Sequence, residues 1–246
     1  MDQIYNQEFY LDERESSSLS ALSVIDQVLT YLRPESVVDV GCGVGSFLKV
    51  FKDKGITTIL GIDGPWVDRN SLLIQKDEYI SQDLSQRFRL NRRFDLVISL
   101  ETAEHISSES ADIFIDNLTN LGDVILFSAA IPFQGGEHHV NLQWPEYWYR
   151  LFSKRGFVYV DCIRDKLWNN PNVSYYYAQN SIFYVKRDSL LRYPLLNAKV
   201  KDEPLAPLSL VHPKRYLAEI MVLETYRKYI PAFLRKILYN KLINRK

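Results

Sequence analysis

Apolar residues recur at helical spacing through SALSVIDQVLTYL, which predicts a helix ending before Pro34, because a residue that precedes proline is pushed out of the α region. Beyond it the pattern alternates. SVVDV predicts a short strand running into glycines, and SFLKVFKDKG a helix that Gly55 stops. TTILGID is a second strand, and EYISQDL contains a third. FDLVISL is an unbroken β-rich apolar run, the pattern of a parallel strand buried on both faces. SSESADIFIDNLTNLG predicts an amphipathic helix that its serines can cap. DVILFSAAI is a fifth strand, PEYWYRLFSKRG a helix opened by Pro145, and FVYVDCI and SIFYVKR the last two strands. Strands alternating with helices imply an α/β fold with a doubly wound, mostly parallel seven-stranded sheet. Residues 1–188 are expected to form that domain and residues 189–246 a mostly helical extension. Ligands of such sheets bind at the carboxyl ends of the strands.

Composition bounds the function classes. With 246 residues, 46% of them hydrophobic, and a formal net charge of zero, the chain reads as one large soluble domain without the basic footprint of a nucleic-acid binder. The polar, acidic start MDQIYNQEFYLDERESSS has no signal-peptide pattern, and the longest apolar run, VILFSAAIPF, is too short to span a bilayer. Two cysteines, Cys42 and Cys162, make no framework and fit a reducing cytoplasm.

VVDVGCGVGSFL sets Gly41, Gly43 and Gly45 between a strand and a helix, where backbone passes close to a ligand and the helix offers free N–H groups. A dinucleotide fingerprint needs a third glycine at position 46, where Ser46 stands. Three acids follow at successive strand ends: Asp39 inside the first, Asp63 ending the second, and Asp83 after the third. Asp63 is placed to accept ribose hydroxyls and Asp83 an adenine amino group. Together they point to an adenosine with a cationic or zwitterionic tail.

These stretches resemble the class I S-adenosylmethionine-dependent methyltransferases. VVDVGCGVGSF is similar to their glycine-rich first motif, LGID to the second, SQDL to the adenine-side motif and FDLVISLETAEHI to the fourth-strand motif. The resemblance runs from about residue 20 to 187. It implies S-adenosylmethionine as cofactor, with Asp39, Gly41, Gly43 and Gly45 along the methionine and ribose. Asp63 and Gly64 would then hold the ribose, Asp83 and Leu84 the adenine, and Leu100 and Glu101 would border the methionine. SLETAEHI, FSAAIPFQGGEHHVNLQWPEYW and LWNNPNVSYYYAQN further resemble a bacterial subgroup associated with surface-polysaccharide and capsule biosynthesis, with departures at Thr102 and Leu142. This implies O-methylation of a hydroxyl on a sugar, sugar nucleotide or related precursor; another small-molecule N- or O-acceptor is the alternative. A nicotinamide oxidoreductase is disfavoured by Ser46, Asp83 and the lack of a second substrate domain. A nucleic-acid methyltransferase is disfavoured by SLETAEH, which stands where N/D-P-P-Y/F would be required.

Methyl transfer to a hydroxyl needs in-line positioning, exclusion of water and a base. Glu104 and His105 after the fourth strand, and His138 or His139 after the fifth, are the catalytic candidates. Consecutive side chains in extended chain point to opposite sides, so His138 and His139 do not share a metal, and the expectation is no metal ion. By the resemblance, His139 faces the pocket, since the family's histidine directly precedes the apolar residue and Asn141. His138, Asn141, Gln143, Trp144 and Trp148 are the candidates for contact with the acceptor, Trp144, Tyr147 and Trp148 offering flat faces to a sugar ring. Glu101 or Glu104 would be the carboxylate for a magnesium ion, which the sequence does not demand. Tyr5, Phe9 and Tyr10 are candidates for a lid. From about residue 213 the chain predicts two helices split at Pro231, the second, FLRKILYNKLINRK, basic and amphipathic and suited to weak contact with anionic lipid or a glycosyltransferase.

Overall fold

The computed structural model describes residues 7–200, 208–218, 220, 221 and 234, with side chains from residue 18. The chain divides into two compact units, Met1–Leu210 and Val211–Lys246. In the first unit, helix α1 (Gln7–Tyr31) is followed by β1 (Ser36–Val40), α2 (Ser46–Asp53), β2 (Thr58–Asp63), β3 (Tyr79–Ser81) and β4 (Leu96–Leu100). Then come α3 (Ala111–Leu121), β5 (Val124–Ser128), α4 (Pro145–Ser153), β6 (Phe157–Val160), α5 (Arg164–Leu167), α6 (Tyr175–Asn180), β7 (Ile182–Lys186) and α7 (Pro194–Asn197).

The strands form one seven-stranded sheet in the order β3-β2-β1-β4-β5-β7-β6. The pairings among β1 to β5 are parallel, and β7 lies antiparallel between β5 and β6. All seven predicted strands are present, and the fold is the expected doubly wound α/β type. The chain winds outward from β1 to β3, then crosses to β4 on the other side of β1. The β1–β4 boundary is therefore the switch point, where a crevice opens at the strands' carboxyl ends.

Alternation along the strands builds two apolar layers. On one face Val37, Leu96, Ile98, Val124, Leu126 and Val185 pack with Val24, Ile25 and Val28 of α1 and Leu48 and Phe51 of α2. On the other Val38, Val97, Ile125, Phe127 and Tyr184 pack with Phe114 and Leu118 of α3 and Trp148 and Phe152 of α4.

The departures from the sequence reading have local causes. Helix α1 starts at Gln7, well before its apolar stripe, in a stretch whose Glu, Gln, Leu and Arg have high intrinsic helix propensity. Strand β3 keeps three residues, leaving Asp83 in the loop beyond it. Ser110 occupies the N-cap position of α3 but makes no side-chain capping bond. The compact unit continues past residue 188, with Leu190, Leu196 and Leu208 buried. In the second unit residues 213–218 are helical; apart from Leu234, the basic segment after Pro231 lies outside the described residues, as do the side chains of Tyr5, Phe9 and Tyr10.

Phe152 is fully buried and its ring stacks 4.0 Å from that of Tyr184 on β7. Phe152→Ala is expected to destabilise the protein by about 3–5 kcal/mol, because it leaves a cavity between helix and sheet. Chemical denaturation followed by circular dichroism would read this as a lower midpoint.

Candidate active site

The turn from β1 into α2 depends on positive φ at Gly41 (88°), Gly43 (53°) and Gly45 (86°). Gly41 is also sterically reserved, since a Cβ there would lie 2.2 Å from Thr102 Oγ1. The loop is tied to the sheet by Gly41 N–H donating to the Ile62 carbonyl (2.7 Å) and Gly43 N–H to Asp63 Oδ2 (2.7 Å). Asp63 Oδ1 accepts from the Gly64 amide (2.6 Å), so this carboxylate braces the loop from the end of the adjacent strand. A cleft of about 500 Å³ opens here, lined among others by Asp39, Gly41, Gly43, Trp66, Leu100 and Tyr177.

Its electrostatics are unusual. Asp39 is 4% exposed, and burial together with the negative charge of Asp63 holds its carboxyl well above the ordinary carboxylate range. Burial also raises Asp63, opposed by the amides of Gly43 and Gly64. An acid that lines the cleft, with a second acid close behind it, favours a ligand that brings a cation.

The second half of the site begins where β4 ends. Glu101 adopts φ 51°, which turns its side chain inward. Gln134 Nε2 donates to its Oε2 (2.6 Å) and Asn180 Nδ2 to its Oε1 (3.1 Å). Asn180 Nδ2 also donates to Gln134 Oε1 (2.9 Å), and Gln179 Nε2 to Asn180 Oδ1 (2.9 Å). Burial raises the Glu101 carboxyl against the pull of these donors. Gln134, Gln179 and Asn180 are not site candidates from the sequence, although FSAAIPFQGGEHHVNLQWPEYW and LWNNPNVSYYYAQN contain them. They lie 33 to 79 residues from Glu101, and no local periodicity links positions so far apart.

Residues Ala103–His105 form a 3₁₀ turn. The loop after β5 folds onto it, with the amides of Val140 and Asn141 both donating to the Glu104 carbonyl (2.9 and 3.0 Å). This brings His139 to the turn. Its Nε2 lies 3.9 Å from Glu104 Oε1, and its ring meets that of His105 edge-on at 4.8 Å. Gly136 makes room: its φ is 118°, and a Cβ there would fall 2.2 Å from His139 Cε1. Glu104 is fully buried, and neither carboxylate oxygen has a hydrogen-bond partner among the described residues. Burial, then the charge of Glu101, holds its carboxyl well above the usual range, while the nearby amides of Glu104 itself and Ala130 oppose the shift. Burial lowers both His105 and His139, which favours neutral imidazoles.

The structure thus brings together Asp39, Gly41, Gly43, Asp63 and Leu100 at one end, and Glu101, Glu104, His105 and His139 at the other. Other expectations change. Asp83 is exposed and its Oδ1 accepts from the amide (2.9 Å) and hydroxyl (2.7 Å) of Ser85, so it shapes its own turn; Leu84 beside it is buried. His138 is exposed, at φ 57°, outside the His105–His139 cluster. Trp148 is 2% exposed and packs against Phe127 at 5.4 Å, which corrects its reading as a pocket wall: it sits on the core stripe of α4. Trp144, at the N-terminus of α4, stays 41% exposed, and Asn141 is buried and accepts from Gln143 (3.0 Å). Trp66, 72% exposed at the rim of the cleft, and Tyr177 were not foreseen.

Residues 20–121, which hold the glycine loop, Asp63 and the Glu101–His105 turn, match a family model described as a methyltransferase domain. Solved structures with the same fold include an O-methyltransferase family protein from Burkholderia thailandensis (TM-score 0.54, 13% identity), to which 73% of this chain aligns. The chain spans only 59% of that protein. An S-adenosylmethionine-bound amino pentose methyltransferase from Micromonospora echinaspora aligns with TM-score 0.55 and 14% identity over 76% of this chain and 99% of its own. Magnesium protoporphyrin IX methyltransferase from Synechocystis PCC 6803 aligns with TM-score 0.50 and 17% identity over 76% of this chain and 90% of its own. At these identities the likeness establishes the fold. No curated protein sequence matches the chain.

Buried Asp39 yields a pH-dependent prediction. Asp39 titrates higher in the folded than in the unfolded chain, so the folded state holds the extra proton between the two pKa values. Its contribution to stability is full below the ordinary aspartate pKa and is lost as pH rises through the raised folded value. Asp39→Asn is therefore expected to raise the melting temperature of the ligand-free protein, with a gain over wild type that grows from about pH 4 upward. Thermal unfolding across pH would measure that gap; a gap constant with pH contradicts it.

Proposed function

We propose that the protein is an S-adenosylmethionine-dependent O-methyltransferase acting on a hydroxyl of a sugar, sugar nucleotide or related precursor of a surface polysaccharide. The observation that carries this reading is the pairing of two sites at the β1–β4 switch point. A cleft with a buried, cation-seeking Asp39 adjoins a recessed Glu104–His105–His139 cluster. Its cofactor is S-adenosylmethionine, which supplies a methyl group already activated on a sulfonium. The amino-pentose substrate of the Micromonospora relative supports a carbohydrate acceptor, as does the resemblance of the acceptor loop.

The residues divide the work. Asp39 takes the cationic amino end of the cofactor, and Asp63 accepts ribose hydroxyls while holding the Gly43 amide. Leu100 and Tyr177 give the cleft apolar walls that exclude water. Glu101, clamped by Gln134 and Asn180, fixes the turn that presents Glu104 and His105. His139, neutral because burial lowers it, is the base within this site for an acceptor hydroxyl. Gln143 and the exposed Trp144 extend from the same loop toward the acceptor. The two free, buried cysteines suit a cytoplasmic setting, and no helix among the described residues is long and apolar enough to cross a membrane. Weak association through the basic C-terminal segment remains part of this proposal, to be tested by liposome flotation with and without residues 230–246.

Calorimetry is expected to show binding of S-adenosylmethionine and none of NAD; the reverse result would sink this reading. Asp39→Asn should weaken cofactor binding by at least about tenfold, the equivalent of about 1.4 kcal/mol. Gly136→Ala and His139→Ala should keep cofactor affinity and lower turnover by about 100-fold or more, the range of a lost general base. A methyl-transfer screen over nucleotide sugars and sugar phosphates identifies the acceptor, and unchanged turnover in His139→Ala removes His139 from the chemistry.

A further inference from the structure

We propose that Glu104, His105 and His139 bind one divalent cation, which holds the acceptor hydroxyl in front of the methyl group. The catalytic role rests on the methyltransferase reading above; binding of the ion does not. One carboxylate oxygen and one nitrogen from each imidazole lie within 4.8 Å of one another. Ligands bonded to one ion at about 2.1 Å stand roughly 3.0 Å apart when adjacent and roughly 4.2 Å apart when opposite. The 3.9 Å between His139 Nε2 and Glu104 Oε1 already falls within that span. Contraction from 4.8 Å to the adjacent spacing is at most about 2 Å, within reach of side-chain rotation.

A second observation is independent of spacing. Among the described residues, neither oxygen of fully buried Glu104 has a hydrogen-bond partner, and neither does the buried Nδ1 of His139. A carboxylate taken out of water without donors is strongly unfavourable, and a cation at its oxygens removes that penalty. Glu101 completes the electrostatics differently. Its two oxygens are taken by Asn180 and Gln134, so it adds negative charge beside the site without supplying a ligand.

The arrangement also limits which ion and which chemistry. Two imidazoles and one carboxylate form a borderline donor set that suits zinc or manganese better than the all-oxygen cages of calcium or magnesium. Three protein ligands, one deeply buried and one, His105, exposed, leave coordination positions on the solvent side. Open positions are the mark of a catalytic rather than a structural site. A hydroxyl bound there is polarised and loses its proton to water more readily, as does a second hydroxyl on the neighbouring carbon of a sugar. In that form His139 acts as ligand and not as base. The fold sets His139 against His105, 34 residues away in the chain, rather than against its neighbour His138.

The test uses the full-length protein, stripped with EDTA and dialysed. Titration with MnCl2, following the free Mn²⁺ signal by electron paramagnetic resonance, and with ZnCl2 by calorimetry should show one ion per chain for at least one of the two. Glu104→Gln, His105→Ala and His139→Ala should each weaken binding by about tenfold or more, while Glu137→Gln, an exposed acid of the same loop, leaves it unchanged. Circular dichroism and S-adenosylmethionine binding report that the variants are folded. No stoichiometric binding of either ion, or binding indifferent to all three substitutions, overturns the proposal. S-adenosylmethionine binding and full methyl transfer in EDTA overturn it while leaving the proposed function standing. Ion binding that follows the three residues, in a protein that does not bind S-adenosylmethionine, supports the site and removes the proposed function alone.

Discussion

The parallel pairing of β1 with β2 on one side and β4 on the other is the constraint from which the site follows. In that register Asp39 lies opposite Gly61 and Ile98, so the ends of three strands reach the same edge of the sheet. Parallel strands must be joined by crossovers, and the crossover to β4 leaves a crevice that no helix fills. The glycine loop, Asp63 and the Glu101–His105 turn all stand at that crevice. Nothing in them would form a site if β4 paired elsewhere.

Burial then gives these polar groups their character. The same apolar layers that stabilise the sheet strip water from Asp39, Asp63, Glu101 and Glu104. The protein meets that cost in two ways. Glu101 and Asp63 are satisfied internally, by side-chain amides and by loop N–H groups. Asp39 and Glu104 have no such side-chain or loop clamp among the described residues; in the proposed reading a cationic cofactor group completes the first and a cation the second. A ligand-free chain that carries such groups exchanges stability for preorganised charge, in line with the field that catalysis requires.

Legibility in the sequence followed the range of the interactions. Strand runs such as FDLVISL, and the glycines that turn VVDV into a helix, encode their conformation within a few residues, and these were read correctly. Trp148 shows the limit of that method: aromatic spacing on α4 fits a core stripe and a pocket wall equally, and packing against Phe127 made it core. Asp83 stands in the loop beyond a three-residue β3, as its place in the chain implied, and its Oδ1 accepts from Ser85. The Gln134–Asn180 clamp on Glu101 left no trace at all, because its parts come from a loop and a short helix that meet only after folding.

By itself the sequence determined the alternation of strands and helices, the glycine-rich turn and the order of acids along one edge, since periodicity and backbone preference act locally. Only the tertiary structure decided which of those groups are buried, which are already partnered, and that His139 faces His105 and Glu104 rather than His138. Those outcomes depend on distances between segments far apart in the chain. Only the closed sheet, with the loop after β5 hydrogen-bonded onto the Glu104 turn, fixes such distances.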